Sequence, residues 1–222
     1  MLLGVKETIV IEQGIQLKEI KKALNYDLSN VACGLLSHEH GDHSKSSVDF
    51  AEMGIFLYTS QGTIDKLKKK SHFIKPVHSE QIIETEEFKI LCFDTQHDCA
   101  EPLGFLIYNK IEHKKILFAT DTYYLKYKFK KVDCFIIEVN YIKRLLDENV
   151  NLPEMVRNRI LTSHFSLDNV IKFLSISDLS ITKLIIPVHL SDENADEREI
   201  KQVLEDQFNI QVHCATGEII EL

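Results

Sequence analysis

The chain of 222 residues has no run of about 18 apolar residues, the length a helix needs to cross a bilayer. A membrane span is therefore not expected. The opening Met1-Leu2-Leu3-Gly4-Val5-Lys6-Glu7 is apolar for too short a stretch, and charged too soon, to read as a secretory signal. No C-x-x-C pair occurs among the five cysteines, Cys33, Cys92, Cys99, Cys134 and Cys214. An odd, dispersed set predicts reduced thiols and a cytoplasmic protein. Positive charge is also in short supply: 26 Lys and Arg stand against 34 Asp and Glu, a formal charge of −8. Such a balance does not suit a protein that coats nucleic acid nonspecifically. Two bound divalent cations would offset half of that charge, and the basic residues are locally bunched. Lys66, Lys68, Lys69 and Lys70 form one run; Lys126, Lys128, Lys130 and Lys131 form another, interleaved with Tyr124, Tyr127 and Phe129. Pro/Gly/Ser linkers, repeats and low-complexity segments are missing too, so residues 1–222 read as a single domain.

What is present is a dense cluster of metal-binding side chains. Ser37-His38-Glu39-His40-Gly41-Asp42-His43 holds His38, His40, Asp42 and His43 in the pattern H-x-H-x-D-H. The apolar stretch Val31-Ala-Cys-Gly-Leu-Leu36 before it reads as a buried strand. The ligands thus fall where a strand ends and a loop begins, with a rigid support and a chain free to curl around a cation. Imidazole and carboxylate together suit zinc, manganese or iron, whereas calcium prefers oxygen alone. A chance grouping of histidines in a solvated loop is the competing reading. Three His and an Asp directly after an apolar run argue against it. The spacing also differs from H-E-x-x-H, since His40 and His43 are three apart and no helical pattern surrounds them.

The same placement recurs. His97, Asp121 and His189 each follow an apolar strand pattern: Phe88–Phe93, Leu117–Thr120 and Ile185–Val188. Alone, His97 or His189 reads as a satisfied rim histidine and Asp121 as a turn former. Together they predict ligands converging along one rim of a sheet. Strands dominate the remaining pattern, with helices between them: Gln61 to Lys70, Arg157 to Leu161, Leu167 to Leu174 and Asp196 to Phe208 read as helical. Gln211 to Cys214 and Glu218 to Leu222 read as closing strands. The class expected is α/β (α+β).

The order and spacing of these motifs resemble the metallo-β-lactamase fold hydrolases. That resemblance implies a four-layer αββα sandwich with two divalent metal ions, zinc or manganese, at one edge. One metal would take His38, His40 and His97 and the other Asp42, His43 and His189, with Asp121 and a water or hydroxide bridging them. A closer resemblance is to the YycJ/WalJ-type branch of exonucleases and phosphodiesterases. It is carried by Ser37–His43, Gln96-His-Asp98, Pro102-Leu-Gly-Phe105, Ala119-Thr-Asp-Thr122, Glu138-Val-Asn140, Ser163-His-Phe-Ser166 and Val188-His-Leu-Ser191 with Asn194. The chain departs from the branch at Glu12-Gln13-Gly14, where an Asp-x-Gly turn is usual, and at Asn194-Ala195, where paired asparagines are usual.

The resemblance implies in-line hydrolysis of a phosphodiester in DNA, with RNA as the second choice, by the metal-bridging hydroxide. Asp42 would orient that nucleophile, and His164 would protonate the leaving oxygen. Asp98 is a candidate to orient His97. The basic–aromatic stretch Tyr123 to Lys131 is a candidate to guide a nucleic-acid backbone and stack bases. His72, His78 and His113 read as surface residues and His213 as structural. No obligate protein partner is implied. Two alternatives stay open: hydrolysis of a small carbonyl compound (a thioester, lactone or β-lactam), and a non-catalytic metal-stabilised binding protein.

Overall fold

β-Branched and aromatic residues bunch in short runs along the chain, and those runs form its strands. The computed structural model describes residues 1–214, so the strand expected over Glu218 to Leu222 lies outside the described residues. The fold is mixed α/β, with two sheets flanked by helices, the class the sequence predicts. The chain forms two compact units. Unit 1 comprises Met1–Asp94 and Cys99–His113, and unit 2 comprises Thr95–Asp98 and the chain from Lys114.

In unit 1 the order is β1 (Leu2–Leu3), β2 (Thr8–Ile11), α1 (Leu17–Ala23), β3 (Val31–Leu35), α2 (Gly41–Ser44), α3 (Ser47–Ala51), β4 (Leu57–Thr59), α4 (Gln61–Lys66) and β5 (Ile74–Pro76). These strands lie in the order β1-β2-β3-β4-β5, antiparallel at β1–β2 and parallel thereafter. Parallel strands need helices on their faces. Accordingly Ile20 and Leu24 pack with Val10, Phe50 and Ile55, and Ala51 packs with Leu36, Leu57 and Ile74. The unit also holds an antiparallel run of β6 (Ile82–Glu84), β7 (Phe88–Asp94) and β8 (Leu103–Asn109).

In unit 2 the order is β9 (Lys114–Ala119), β10 (Cys134–Glu138), α5 (Lys143–Glu148), α6 (Glu154–Ser163), α7 (Leu167–Ser175), β11 (Leu184–Val188), α8 (Glu197–Phe208) and β12 (Gln211–Val212). Its four strands among the described residues are parallel, in the order β9-β10-β11-β12. The apolar stripe of α7 packs inward, and Phe173 meets the rings of Phe129, Phe135 and Phe165 at centroid distances of 6.2 to 6.3 Å. Side-chain caps begin two of the helices. Ser166 accepts from the Asn169 N–H and Asp196 from the Glu199 N–H, satisfying donors that a helix start leaves open.

The helices depart from the pattern reading in places. α4 stops at Lys66 instead of Lys70, and Leu67 turns extended. Lys66 and Lys70 would otherwise face each other one turn apart, where like charges repel. α6 begins at Glu154, just after Pro153, and α5 has no counterpart in the sequence reading. Among the described residues no helix is long and apolar enough to cross a membrane.

Candidate metal centre

Each unit assembles its own group of candidate ligands at strand ends. In unit 1 the group grows out of β3. Leu35 and Leu36 are fully buried, and the chain then turns through Ser37 and His38, which are buried as well. His38 and His40 lie in the loop, as the sequence predicts. Asp42 and His43 do not: they belong to the single helical turn α2, with His40 at its N-terminal boundary. The pattern reading missed this turn because four residues are too few to display a helical period. The curl brings the His38 ring within 4.7 Å of His40 and 4.3 Å of His43, centroid to centroid. Asp42 stands at the exposed side of the turn.

A residue outside the motif orients these rings. Glu12 follows β2 in a left-handed conformation, φ +62°. Its carboxylate accepts from the Ser37 N–H at 2.8 Å, from the Ser37 hydroxyl at 3.1 Å, and from His43 Nδ1. The Ser37 hydroxyl proton is thereby used, so its oxygen accepts from His38 Nδ1 at 2.8 Å. This network assigns the Nδ1 protons of both histidines, so Nε2 is the ring nitrogen that could ligate a cation. The Glu12-Gln13-Gly14 turn also clamps α2. The Gln13 N–H donates to the His43 carbonyl at 2.8 Å, and the Ser46 N–H donates to the Gln13 carbonyl at 2.9 Å. A Cβ on Gly14 would lie 1.5 Å from the Asp42 carbonyl oxygen, so only glycine permits this approach.

In unit 2 the ligands come from separate strand ends. Asp121 follows β9 and His189 follows β11, with φ of +46° and +57°. Left-handed backbone at residues other than glycine costs of order 1–3 kcal/mol each, and it collects where the surroundings enforce it for function. His97 Nδ1 donates to the Ser163 carbonyl at 2.8 Å, and its Nε2 is 3.3 Å from Asp121. Burial lowers the pKa of His97 against the opposing pull of Ser163 and Asp121. The neutral ring is the form that binds a metal. His189 Nδ1 lies 3.2 Å from Asp121 Oδ1 and 3.0 Å from Glu138 Oε1.

The hub of this half is Glu138, fully buried at the end of β10. Its Oε1 faces His164 Nδ1 at 2.6 Å as well as His189 Nδ1. Its Oε2 accepts from the Thr122 N–H at 2.8 Å and the Phe165 N–H at 3.2 Å. Asp121, Glu138, His164 and His189 each offer a ligand atom, all within 4.8 Å of one another. Imidazoles held through Nδ1 beside buried carboxylates form the donor set that a divalent transition-type cation requires, so the residues present fit a metal.

Pattern reading named Glu138 and Glu12 only as members of motifs, not as orienting groups. The signal was available in Glu138: a carboxylate ending a strand of otherwise apolar residues is costly to bury unless it is paired. The expectation for Asp98 is met at a different ring nitrogen from the one held by the backbone. His97 Nδ1 goes to the Ser163 carbonyl, while Asp98 lies 3.2 Å from the other ring nitrogen, Nε2, and also pairs with Arg159 at 2.6 Å. His164 closes α6 and stacks on His189 at 5.4 Å. His72, His78 and His113 are exposed. The basic–aromatic stretch divides: Leu125 and Phe129 are buried, Tyr123 and Tyr124 are exposed, and Lys126 lies over the Tyr127 ring at 5.1 Å.

Residues 11–190 match the family model described as a beta-lactamase superfamily domain. Curated proteins yield no match to the chain. Solved structures similar to it include the metallo-beta-lactamase fold protein YhfI from Bacillus subtilis, with a TM-score of 0.69 and 14% identity over 98% of this chain and 88% of that one. A diphosphatase from the PhnP family gives a TM-score of 0.67 and 15% identity over 99% and 82%. The short form of human tRNase Z gives 0.58 and 13% over 96% and 87%. At such identities the likenesses establish the fold. The match to the family model spans most of the chain and both ligand groups, so the protein belongs to the beta-lactamase superfamily and is a metallo-hydrolase of that family.

Proposed function

We propose that this protein is a metal-dependent phosphodiesterase acting on nucleic acid, DNA in the first instance, in the manner of the YycJ/WalJ-type branch. The residues that would hold the metal ions are His38, His40, Asp42 and His43 of unit 1 and His97, Asp121 and His189 of unit 2. The observation that carries the reading is the pair of outer carboxylates, Glu12 and Glu138, which between them hold the Nδ1 atoms of His38 (through Ser37), His43, His164 and His189. Orientation of this kind is spent on metal ligands and proton donors; an inert structural site has no need of His164 beside its ligands. Two divalent cations, zinc or manganese, would supply Lewis acidity at a phosphoryl oxygen and a water acidic enough to attack at neutral pH.

This chain's residues do the rest. Asp42, at the exposed start of α2, orients the attacking water. His164, its Nδ1 anchored on Glu138, delivers a proton from Nε2 to the departing oxygen. Support for phosphorus chemistry comes from relatives of the same fold that are themselves described as a diphosphatase and a tRNase Z. The reading is tested by turnover of bis(p-nitrophenyl) phosphate against a thioester and nitrocefin, each with zinc and with manganese. A thioester or nitrocefin preference would replace it with carbonyl hydrolysis. Absence of turnover on all three would favour a metal-stabilised binding protein. Degradation of end-labelled DNA and RNA with Mn²⁺, using Asp42→Ala as the blank, then tests the polymer.

The acid role has its own check. General acid catalysis contributes roughly 10²–10⁴-fold when the leaving group needs a proton. His164→Ala should lose about that on a diester with a nucleoside leaving group, and much less on one releasing p-nitrophenolate. Equal losses on both would reject the role.

A further inference from the structure

The ligand group of unit 2 has a neighbour that the chemistry so far does not use. A cavity of about 350 Å³ opens between the Tyr123–Leu125 segment and the α7 residues Asn169, Lys172, Phe173 and Ile176, with Phe165 at its base. Leu125, Phe165 and Phe173 are buried and make an apolar floor. Tyr123, Tyr124 and Ile176 are 40%, 55% and 57% exposed and form the rim. Lys172 adds an exposed cation to that rim and Asn169 a half-buried amide. The size is that of a small-ligand site, and a mostly apolar wall with a few polar groups is the usual composition.

The cavity is tied to the ligand group by covalent and hydrogen-bonded links. Only Thr122 separates Asp121 from Tyr123, so their Cα atoms lie within about 7.6 Å. His164 directly precedes Phe165. The carboxylate of Glu138 holds both sides at once: Oε1 faces His164 and His189, while Oε2 accepts from Thr122 and Phe165. The wall is pinned further where the Thr122 hydroxyl donates to the Tyr124 carbonyl at 2.8 Å and accepts from the Gln96 N–H at 2.9 Å. The residues that join the cavity wall to Asp121 and His164, Thr122 and Phe165, are therefore both held by hydrogen bonds.

We infer that this cavity is a nucleobase subsite, holding the base of a nucleotide whose phosphate lies at the ligand group. A base has flat apolar faces to lie on Phe165 and between the rim tyrosines, and a polar edge for Asn169. Aromatic stacking of this kind is worth about 1–3 kcal/mol per base. The ammonium of Lys172 complements the phosphate-bearing end of such a molecule, whereas an acyl chain would leave Lys172 and Asn169 without a use. The inference rests on the phosphodiesterase reading and specifies its substrate.

The experiment compares adenosine 5′-(p-nitrophenyl phosphate) with methyl p-nitrophenyl phosphate on the metal-loaded enzyme. Both release the same phenolate and differ only in the nucleoside. The wild type should favour the nucleoside diester at least tenfold in kcat/KM. Tyr124→Ala and Ile176→Asp, both at exposed positions that folding tolerates, should lower that preference about tenfold through KM. An unchanged preference, or none in the wild type, overturns the inference. Should neither diester be hydrolysed, the phosphodiesterase reading fails by itself. Saturation-transfer NMR with adenosine then decides the subsite: transfer to the base protons that Ile176→Asp abolishes supports it, and no transfer to the wild type overturns it.

Discussion

The two ligand groups reach similar ends by different means. In unit 1, His38, His40, Asp42 and His43 are neighbours in sequence, and a turn from another strand, Glu12-Gln13-Gly14, orients and clamps them. In unit 2, His97, Asp121, His164 and His189 come from four separate stretches, and one buried carboxylate ties two of the imidazoles to the backbone on either side. A local cluster is held by chain connectivity and needs only a brace. A dispersed cluster depends on its hub and on single contacts such as that of His97 with the Ser163 carbonyl. Unit 2 should therefore be the more fragile half towards loss of a single side chain.

The largest expected effect is at the dispersed ligands. Asp121→Ala should cut diester hydrolysis on the order of a thousandfold, several kcal/mol of transition-state stabilisation, and lower the metal content seen by native mass spectrometry. Retained metal with full turnover would break the comparison at its root. The hub comes next. Glu138→Gln should reduce metal affinity or activity about 10- to 100-fold, the usual effect of removing an orienting partner, because its amide group cannot accept at every position where the carboxylate does. Glu12→Gln should cost less, since the clamp around α2 survives it. If Glu12 proved the more sensitive, connectivity would not be what holds unit 1.

Gly14→Ala sharpens the comparison from the other side. The added methyl meets the Asp42 carbonyl at 1.5 Å, so backbone must move, at about 1–3 kcal/mol. Thermal unfolding should report the loss, and activity should fall with it as α2 shifts.

A smaller, pH-dependent effect lies away from the ligands. Glu87 is fully buried and accepts from the N–H groups of Val5, Lys6 and Glu7 and from Asn109. Burial alone would raise its pKa, but these bonds outweigh it, and the net shift is below the ordinary 4.5. A carboxylate lowered in the folded state contributes stability above its unfolded pKa and loses it as pH falls through the folded value. In urea unfolding, Glu87→Gln should be destabilised at pH 7, and the gap to wild type should close as pH falls below 4.5. A gap independent of pH would mean the bonds, not the charge, matter. The smallest effect is a silence: burial pushes the Cys33 thiol up to about 12, so at pH 8 it should resist alkylation until the protein is unfolded.

Much of this was legible in the chain. His38–His43 announced itself because its ligands are contiguous, and His97, Asp121 and His189 because each ends an apolar run. Glu138 and Glu12 could not be read as orienting groups, because which imidazole a carboxylate faces depends on how distant strands are ordered. The α2 turn was too short to carry a period, and the sequence could not show that the Ser163 carbonyl holds His97 Nδ1 while Asp98 divides its two oxygens between His97 Nε2 and Arg159.

The amino-acid order alone determined which side chains bear metal chemistry and which runs become strands, since residue type and alternation are local properties. Tertiary structure decided which ring nitrogen of each histidine is anchored, which carboxylate or carbonyl anchors it, and that Tyr123–Leu125 and α7 enclose an apolar slot. Those outcomes rest on distances between residues far apart in the chain, and only packing sets such distances.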